Sequence, residues 1–257
     1  AVEKMAKKGL FGELIHAEGG YAHPIGDRWT PWRMAYAQQN SGDVYPTHGI
    51  GPACKLLNMH KTDRMHYLTS MQTDAFIGTQ IYQKVMQTPC SFFANGDQTS
   101  TTIRTLKGKT ILIQHNVMTP RPYNRMFQVI GTQGYAAKYP TPEIMLSRES
   151  AAKVGIDIDE NSVLLSASQI ETLLRSYAPD FRPETINLAK QLDLRGGMSY
   201  FMDLRLAHCL QQGLPLDMDV YDLAEWCSIA ELSKLSIEHG SMPVMIPDFT
   251  RGAGFVR

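Results

Sequence analysis

The feature that most constrains the fold is a period-two alternation in residues 100–117. Ile103 on one side of the Lys107-Gly108 turn, and Ile111, Ile113 and Val117 on the other, alternate with polar neighbours. Only an extended strand with one covered face has that period, so the segment predicts a hairpin over residues 100–106 and 110–117. A further strand over 126–130, the Gly131-Thr132-Gln133-Gly134 turn and a return over 135–139 extend this into a meander of antiparallel strands. Residues 13–21 and 65–73 also read as strands, the first ending in glycines.

The second half changes period. Residues 168–176, 184–192, 199–212 and 219–239 carry apolar side chains at helical spacing, and Gly240 is a suitable stop for the last. Most of Leu204, Leu206, Leu223, Trp226 and Leu235 are expected in the core. Residues 46–58 and 76–86 add two earlier helices, and 243–249 form an extended tail. Strands first and helices second make an α+β pattern, without a repeat or a low-complexity tract.

Size and charge narrow the function. The 257 residues, 43% hydrophobic, suffice for a sizeable core, and 25 basic side chains balance 25 acidic ones. Without a long basic run, capture of nucleic acid or of an anionic membrane is not indicated, and a compact neutral ligand fits better. No apolar run reaches the length of a membrane span. Cys54, Cys90, Cys209 and Cys227 are too scattered for metal-ligand spacing and read as buried thiols. Residues 1–8 read as the last turns of an amphipathic helix, with Val2 and Met5 on one side and Gly9 ending it. We therefore expect residues 1–10 to be the stub of a preceding domain, and residues 11–257 to be one domain.

Chemistry concentrates in Asp43-Val44-Tyr45-Pro46-Thr47-His48-Gly49-Ile50-Gly51-Pro52. Pro46 suits a first helical turn, so Tyr45 and His48 stand where free amides and the positive end of the helix dipole favour an oxyanion. An imidazole moves protons near neutral pH, and a neighbouring phenol can hold or share one. In the other reading His48 caps the helix and Tyr45 packs on it. Trp29, Trp32 and Arg33 lie in a polar loop and form either a sugar platform or core tryptophans with a structural ion pair. The proline-stiffened link over 119–125 presents Tyr123 between two cations. No glycine-rich GxGxxG or P-loop cradle for a pyrophosphate occurs.

Taken together, EGGY, RWTPWR, YPTHGIGP, GKTILIQHNVMTPRPYNR, IGTQGY and LDMDVYDLAEWCSI resemble the NAD-dependent α-N-acetylgalactosaminidases of glycoside hydrolase family 109. These belong to the glucose-fructose oxidoreductase-like (Gfo/Idh/MocA) superfamily. The resemblance runs from about Phe11 to Arg251 and implies the second domain of such an enzyme, a large, mostly antiparallel sheet with helices on one face. The other face would serve subunit contact in a homo-oligomer. NAD would be held mainly by a preceding Rossmann domain, so the chain by itself is not expected to be active. A bacterial, exported protein is also implied. The loop between Tyr21 and Trp29 is shorter than the acidic insertion of other members.

The implied chemistry needs no pair of carboxylates, unlike most glycosidases. Hydride leaves C3 of the sugar for NAD+, the ketone acidifies the C2 proton, the glycosidic oxygen leaves C1, water adds, and the hydride returns. The resemblance assigns catalytic roles to His48, Tyr45 and Tyr21, with His48 at the C3 hydroxyl and Tyr21 or Tyr45 at the C2 proton. It assigns carbohydrate binding to Arg33, Tyr123 and Tyr45. Two rivals are a sugar dehydrogenase of the same superfamily, which would release reduced cofactor, and a non-catalytic interaction domain. In the latter, Tyr21, Tyr45, His48 and Tyr123 would scatter rather than converge.

Overall fold

Burial along the hairpin shows which side of the sheet is covered. Ile103, Ile111 and Ile113 are buried to 1% exposure or less, and with Ala17, Leu68, Val129, Ile144 and Leu146 they form the sheet side of the main core. The computed structural model describes residues 1–178, 183–192 and 197–252. In chain order the elements are α1 (Val2–Lys7), β1 (Leu14–Ala22), a 3-10 turn (Gly26–Arg28), α2 (Pro31–Gln39), α3 (Thr47–Leu56), β2 (Met65–Gln72), α4 (Gly78–Met86), β3 (Thr99–Thr105) and β4 (Thr110–Asn116). Then follow β5 (Gln128–Gly131), β6 (Gly134–Ala137), β7 (Glu143–Ser147), α5 (Arg148–Ala152), β8 (Ser162–Leu164), α6 (Ala167–Ser176), α7 (Pro183–Leu192), α8 (Met198–Gln212), α9 (Val220–Glu238) and β9 (Val244–Met245).

The strands make one sheet in the order β8-β7-β6-β5-β1-β4-β3-β2-β9. Every neighbouring pair is antiparallel except β1 and β4, which run parallel with Tyr21 opposite His115. This is the α+β architecture expected from the alternation. The hairpin and the β5–β6 pair are antiparallel as expected, but β1 lies between β4 and β5, and the long connection through α2, α3, β2, α4 and β3 brings β4 beside β1 in the same direction.

Helices α3 and α9 cover one face of the sheet, and α2 and α4 pair near the ends of β1 and β4. Met34, Ala37, Tyr82, Phe93, Val117 and Met118 form a second core there. Its partly buried rim includes Tyr21 and Trp29, so Tyr21 stands where the two cores meet. Met5 and Leu10 are buried in the main core.

Four features differ from the sequence reading. Trp32 and Arg33, expected in a polar loop, lie in α2, which starts with Pro31 at its first position and buries only Met34 and Ala37. Strands β7 and β8 lie in a stretch with no strand expectation. Cys227 is exposed and Cys90 half-buried, whereas Cys54 and Cys209 are buried as expected.

The fourth concerns the late helices. Leu204, Leu206, Leu223 and Leu235 are exposed, and of the five expected core residues only Trp226 is buried. Helix α9 instead turns Trp226, Ile229, Ser233 and Ser236 inward. Small serines let it approach closely enough that Ser236 Oγ accepts from the Ser70 amide at 2.9 Å and Ser233 Oγ from the Asp43 amide at 2.9 Å.

Candidate active site

Two glycines bring the reactive side chains together. Strand β1 packs under α3, and a Cβ on Gly19 would lie 2.7 Å from the Gly49 carbonyl carbon, so any side chain there would push strand and helix apart. Two residues on, the alternation turns Tyr21 to the same side as Gly19, against the first turn of α3. The Tyr21 ring centroid lies 4.8 Å from that of His48 and 5.3 Å from that of Tyr45, and Tyr45 and His48 are 4.6 Å apart. Tyr45 is 47% exposed, so the trio is an open wall rather than a packed cluster.

The turn into α3 is held from below. The Tyr45 amide donates to Asp43 Oδ1 at 3.1 Å, which fixes the backbone that aims the phenol. Asp43 is 2% exposed, and burial pushes its carboxyl up to about 7. Behind Tyr21 lies His115 of β4, 6.4 Å away between ring centroids, and burial pushes that imidazole down to about 4.

A second wall comes from the proline-stiffened link. The Ala22 amide donates to the Asn124 carbonyl at 3.0 Å and the Asn124 amide to the Ala22 carbonyl at 2.9 Å, which pins the link to the end of β1. Tyr123 then meets His23 at 5.5 Å and Tyr139 at 5.9 Å. Arg125 Nε donates to Tyr123 Oη at 2.8 Å, and its Cζ sits 4.8 Å from the centre of the Tyr21 ring. Burial first, then Tyr139 and Tyr21, hold the Tyr123 phenol above its ordinary value. Burial, then Arg28 and Arg125, lower the His23 imidazole.

Of the residues singled out from sequence, Tyr21, Tyr45, His48 and Tyr123 therefore line one surface. Arg33 does not join them. It is exposed on α2, its Cζ lies 4.6 Å over the Trp32 ring, and its nearest hydrogen-bond acceptor is Thr30 Oγ1 at 3.4 Å. The sequence reading passed over His23, Asp43, His115 and Tyr139. His23 had a signal, since two residues after Tyr21 the same side of an extended chain recurs. Two cavities of about 440 and 460 Å³ lie elsewhere, the larger lined by Val2, Pro52, Leu56, Phe127 and Ile170.

Comparison with known proteins gives this surface its family. Residues 26–255 match the model described as glycosyl hydrolase 109, C-terminal domain. The chain belongs to glycosyl hydrolase family 109. A family 109 protein of Bacteroides fragilis is 52% identical over 258 residues, covering 97% of this chain and 55% of the relative. One from Porphyromonas gingivalis is 49% identical, covering 96% of this chain and 54% of the relative. The chain thus spans about half the length of these curated relatives. Among solved structures, levoglucosan dehydrogenase in complex with NADH and levoglucosan superposes with a TM-score of 0.63 at 13% identity, over 96% of this chain and 63% of that one. An oxidoreductase domain protein from Kribbella flavida gives 0.58 at 13%, over 95% and 61%. At such identity the likeness concerns the fold alone.

Proposed function

We propose that this chain forms the substrate half of an α-N-acetylgalactosaminidase that works by oxidation, elimination, water addition and re-reduction. The observation that carries the reading is the convergence of Tyr21, Tyr45 and His48 within 4.6–5.3 Å on an open wall. Three proton-handling groups face one side, as a reaction at adjacent sugar carbons requires.

NAD would meet this wall at its reactive end only: Tyr45 and Tyr123 each expose about half of their surface there, whereas the sequence has no glycine-rich cradle for the pyrophosphate. That end would rest beside the Tyr45 ring, and the rest of the dinucleotide would be held by a preceding domain. The chemistry the bound cofactor supplies is reversible hydride exchange with C3 of the sugar.

This chain's own residues handle the protons. His48 takes the C3 hydroxyl proton and later returns it. Tyr21 takes the C2 proton once the ketone has acidified it, and Tyr45 orients the sugar across the trio. The amides at the start of α3 favour the enolate oxygen. Tyr123, a neutral phenol beside Arg125, binds a sugar hydroxyl or the N-acetyl group.

Replacing His48 by Ala in the full-length enzyme tests the reading: turnover falls by two orders of magnitude or more with an unchanged circular dichroism spectrum. Wild-type activity in that variant overturns the assignment. Reduced cofactor accumulating in step with product would instead establish the dehydrogenase reading.

We further assign the uncovered face of the sheet to contact with a second copy. A polar row runs across it, with His16 Nδ1 2.7 Å from Thr110 Oγ1, Gln128 Nε2 donating to Glu18 Oε2 at 2.8 Å, and Tyr135 Oη donating to Gln128 Oε1 at 2.7 Å. Exposed Ile130, Met145 and Leu164 lie at one end of this face and Met71 and Met245 at the other. A mass measurement in solution decides between dimer or higher order and monomer.

A further inference from the structure

Arg125 is the cation of the site to which the scheme above gives no task of its own. It is half-buried in the loop that the Ala22–Asn124 bridge pins to β1. Its Cζ faces two phenols at once, 4.8 Å from the Tyr21 ring centre and 5.3 Å from that of Tyr123, while Nε donates to Tyr123 Oη. Among the described residues no carboxylate pairs with it.

The groups around the two phenols are few. Tyr21 is faced by Tyr45 from the turn before α3, by His48 from α3, by His23 beyond its own strand, by His115 from β4 and by Arg125. Tyr123 is faced by His23, Tyr139 and Arg125. Further out, Arg28 lies 2.7 Å from His23 Nε2 and Lys138 stands over the Tyr139 ring at 5.4 Å. Of the groups in direct contact, only the guanidinium carries a permanent charge.

We propose that Arg125 is a positioning residue that acts through both phenols: it fixes Tyr123 by hydrogen bonding and serves as the standing counter-charge for the anion handled at Tyr21. Its place in the reaction rests on the glycosidase reading; its geometry does not. In that reaction the Tyr21 phenolate takes the C2 proton, and the C–H electron pair moves into the enolate of the C3 ketone. The negative charge passes from phenolate to enolate beside the same guanidinium. The enolate pair then expels the glycosidic oxygen from C1, that oxygen takes the proton from Tyr21, and water adds its hydroxide to C1 and, through the regenerated phenolate, a solvent-derived proton to C2, so atoms and charge balance.

Two measurements on the full-length enzyme separate the parts. In wild type, the 15N-labelled Nε–H of Arg125 gives a resonance shielded from solvent exchange, and Tyr123→Phe removes that protection. An unprotected Nε–H in wild type overturns the clamp whatever the enzyme does. In kinetics, Arg125→Met moves the acid-side rise of the kcat–pH profile to higher pH by about one unit and lowers kcat at pH 7 about tenfold, and Arg125→Lys restores most of both. Arg125→Gln is the second neutral variant if the Met variant does not fold. An unmoved profile in a folded neutral variant, or failure of Lys to rescue, leaves Arg125 as a packing residue and overturns the proposal. Absence of any glycosidase turnover in wild type would instead count against the reading on which the kinetic arm stands.

Discussion

Gly19 of β1 and Gly49 of α3 meet backbone to backbone: a Cβ on Gly19 would stand 2.8 Å from the Gly49 Cα, and one on Gly49 would stand 3.0 Å from the Gly20 nitrogen. This contact sets the distance between the strand that carries Tyr21 and the helix that carries His48.

Gly19→Ala should therefore damage fold and site together. Overpacking of this kind costs about 1–3 kcal/mol. Gly49→Ala should cost less, because its Cβ has more room and alanine favours the helix by about 1 kcal/mol. Thermal unfolding of both variants checks the order, and a Gly19→Ala protein as stable and active as wild type would show that the close approach is unimportant.

Asp43 makes stability depend on pH in an unusual direction. Its carboxyl is raised from 3.8 to about 7 in the folded chain, so between those values the folded state holds a proton that the unfolded state has lost. Stability falls as pH rises through that window, and the penalty is complete above about 7. Asp43→Asn keeps an acceptor for the Tyr45 amide and removes the ionisation. The Tm of the variant minus that of wild type should therefore grow more positive from pH 5 to pH 8. A constant difference would contradict this account of the turn.

His60 gives the opposite slope. Its Nε2 lies 2.9 Å from Glu225 Oε2 and 4.0 Å from Asp222 Oδ1, joining the segment after α3 to the start of α9. The Glu225 carboxylate at this distance is the main cause that raises its pKa. The stabilisation is fully present below the unfolded value of 6.5 and is lost as pH rises through the folded one. His60→Gln should lower Tm by a few degrees at pH 5.5 and have a smaller effect at pH 8.5. Equal effects at both would show that the imidazole acts only by packing.

The regular parts of this fold were legible because they follow a period. The hairpin and the ranges of α6, α7, α8 and α9 agree with the apolar spacing to within one or two residues. The side of a helix that turns inward was less legible. Helix α9 buries Ser233 and Ser236 because serine is small and hydrogen-bonds β2 and the Asp43 turn, a choice that hydrophobicity does not record. In the site, Tyr45 and His48 share one local motif and could be read from it. That Tyr21 and Arg125 stack on one another depends on the Ala22–Asn124 bridge between distant segments, and Arg33 is placed by α2, a helix hidden in a polar stretch.

The most direct measurement of the central claim is cleavage of an aryl N-acetyl-α-galactosaminide in D2O by the full-length enzyme, with NMR of the released sugar. The account predicts deuterium at C2 of the product and no net NADH. Hydrolysis with the C2 proton fully retained, or product formed only together with an equal amount of NADH, would contradict it.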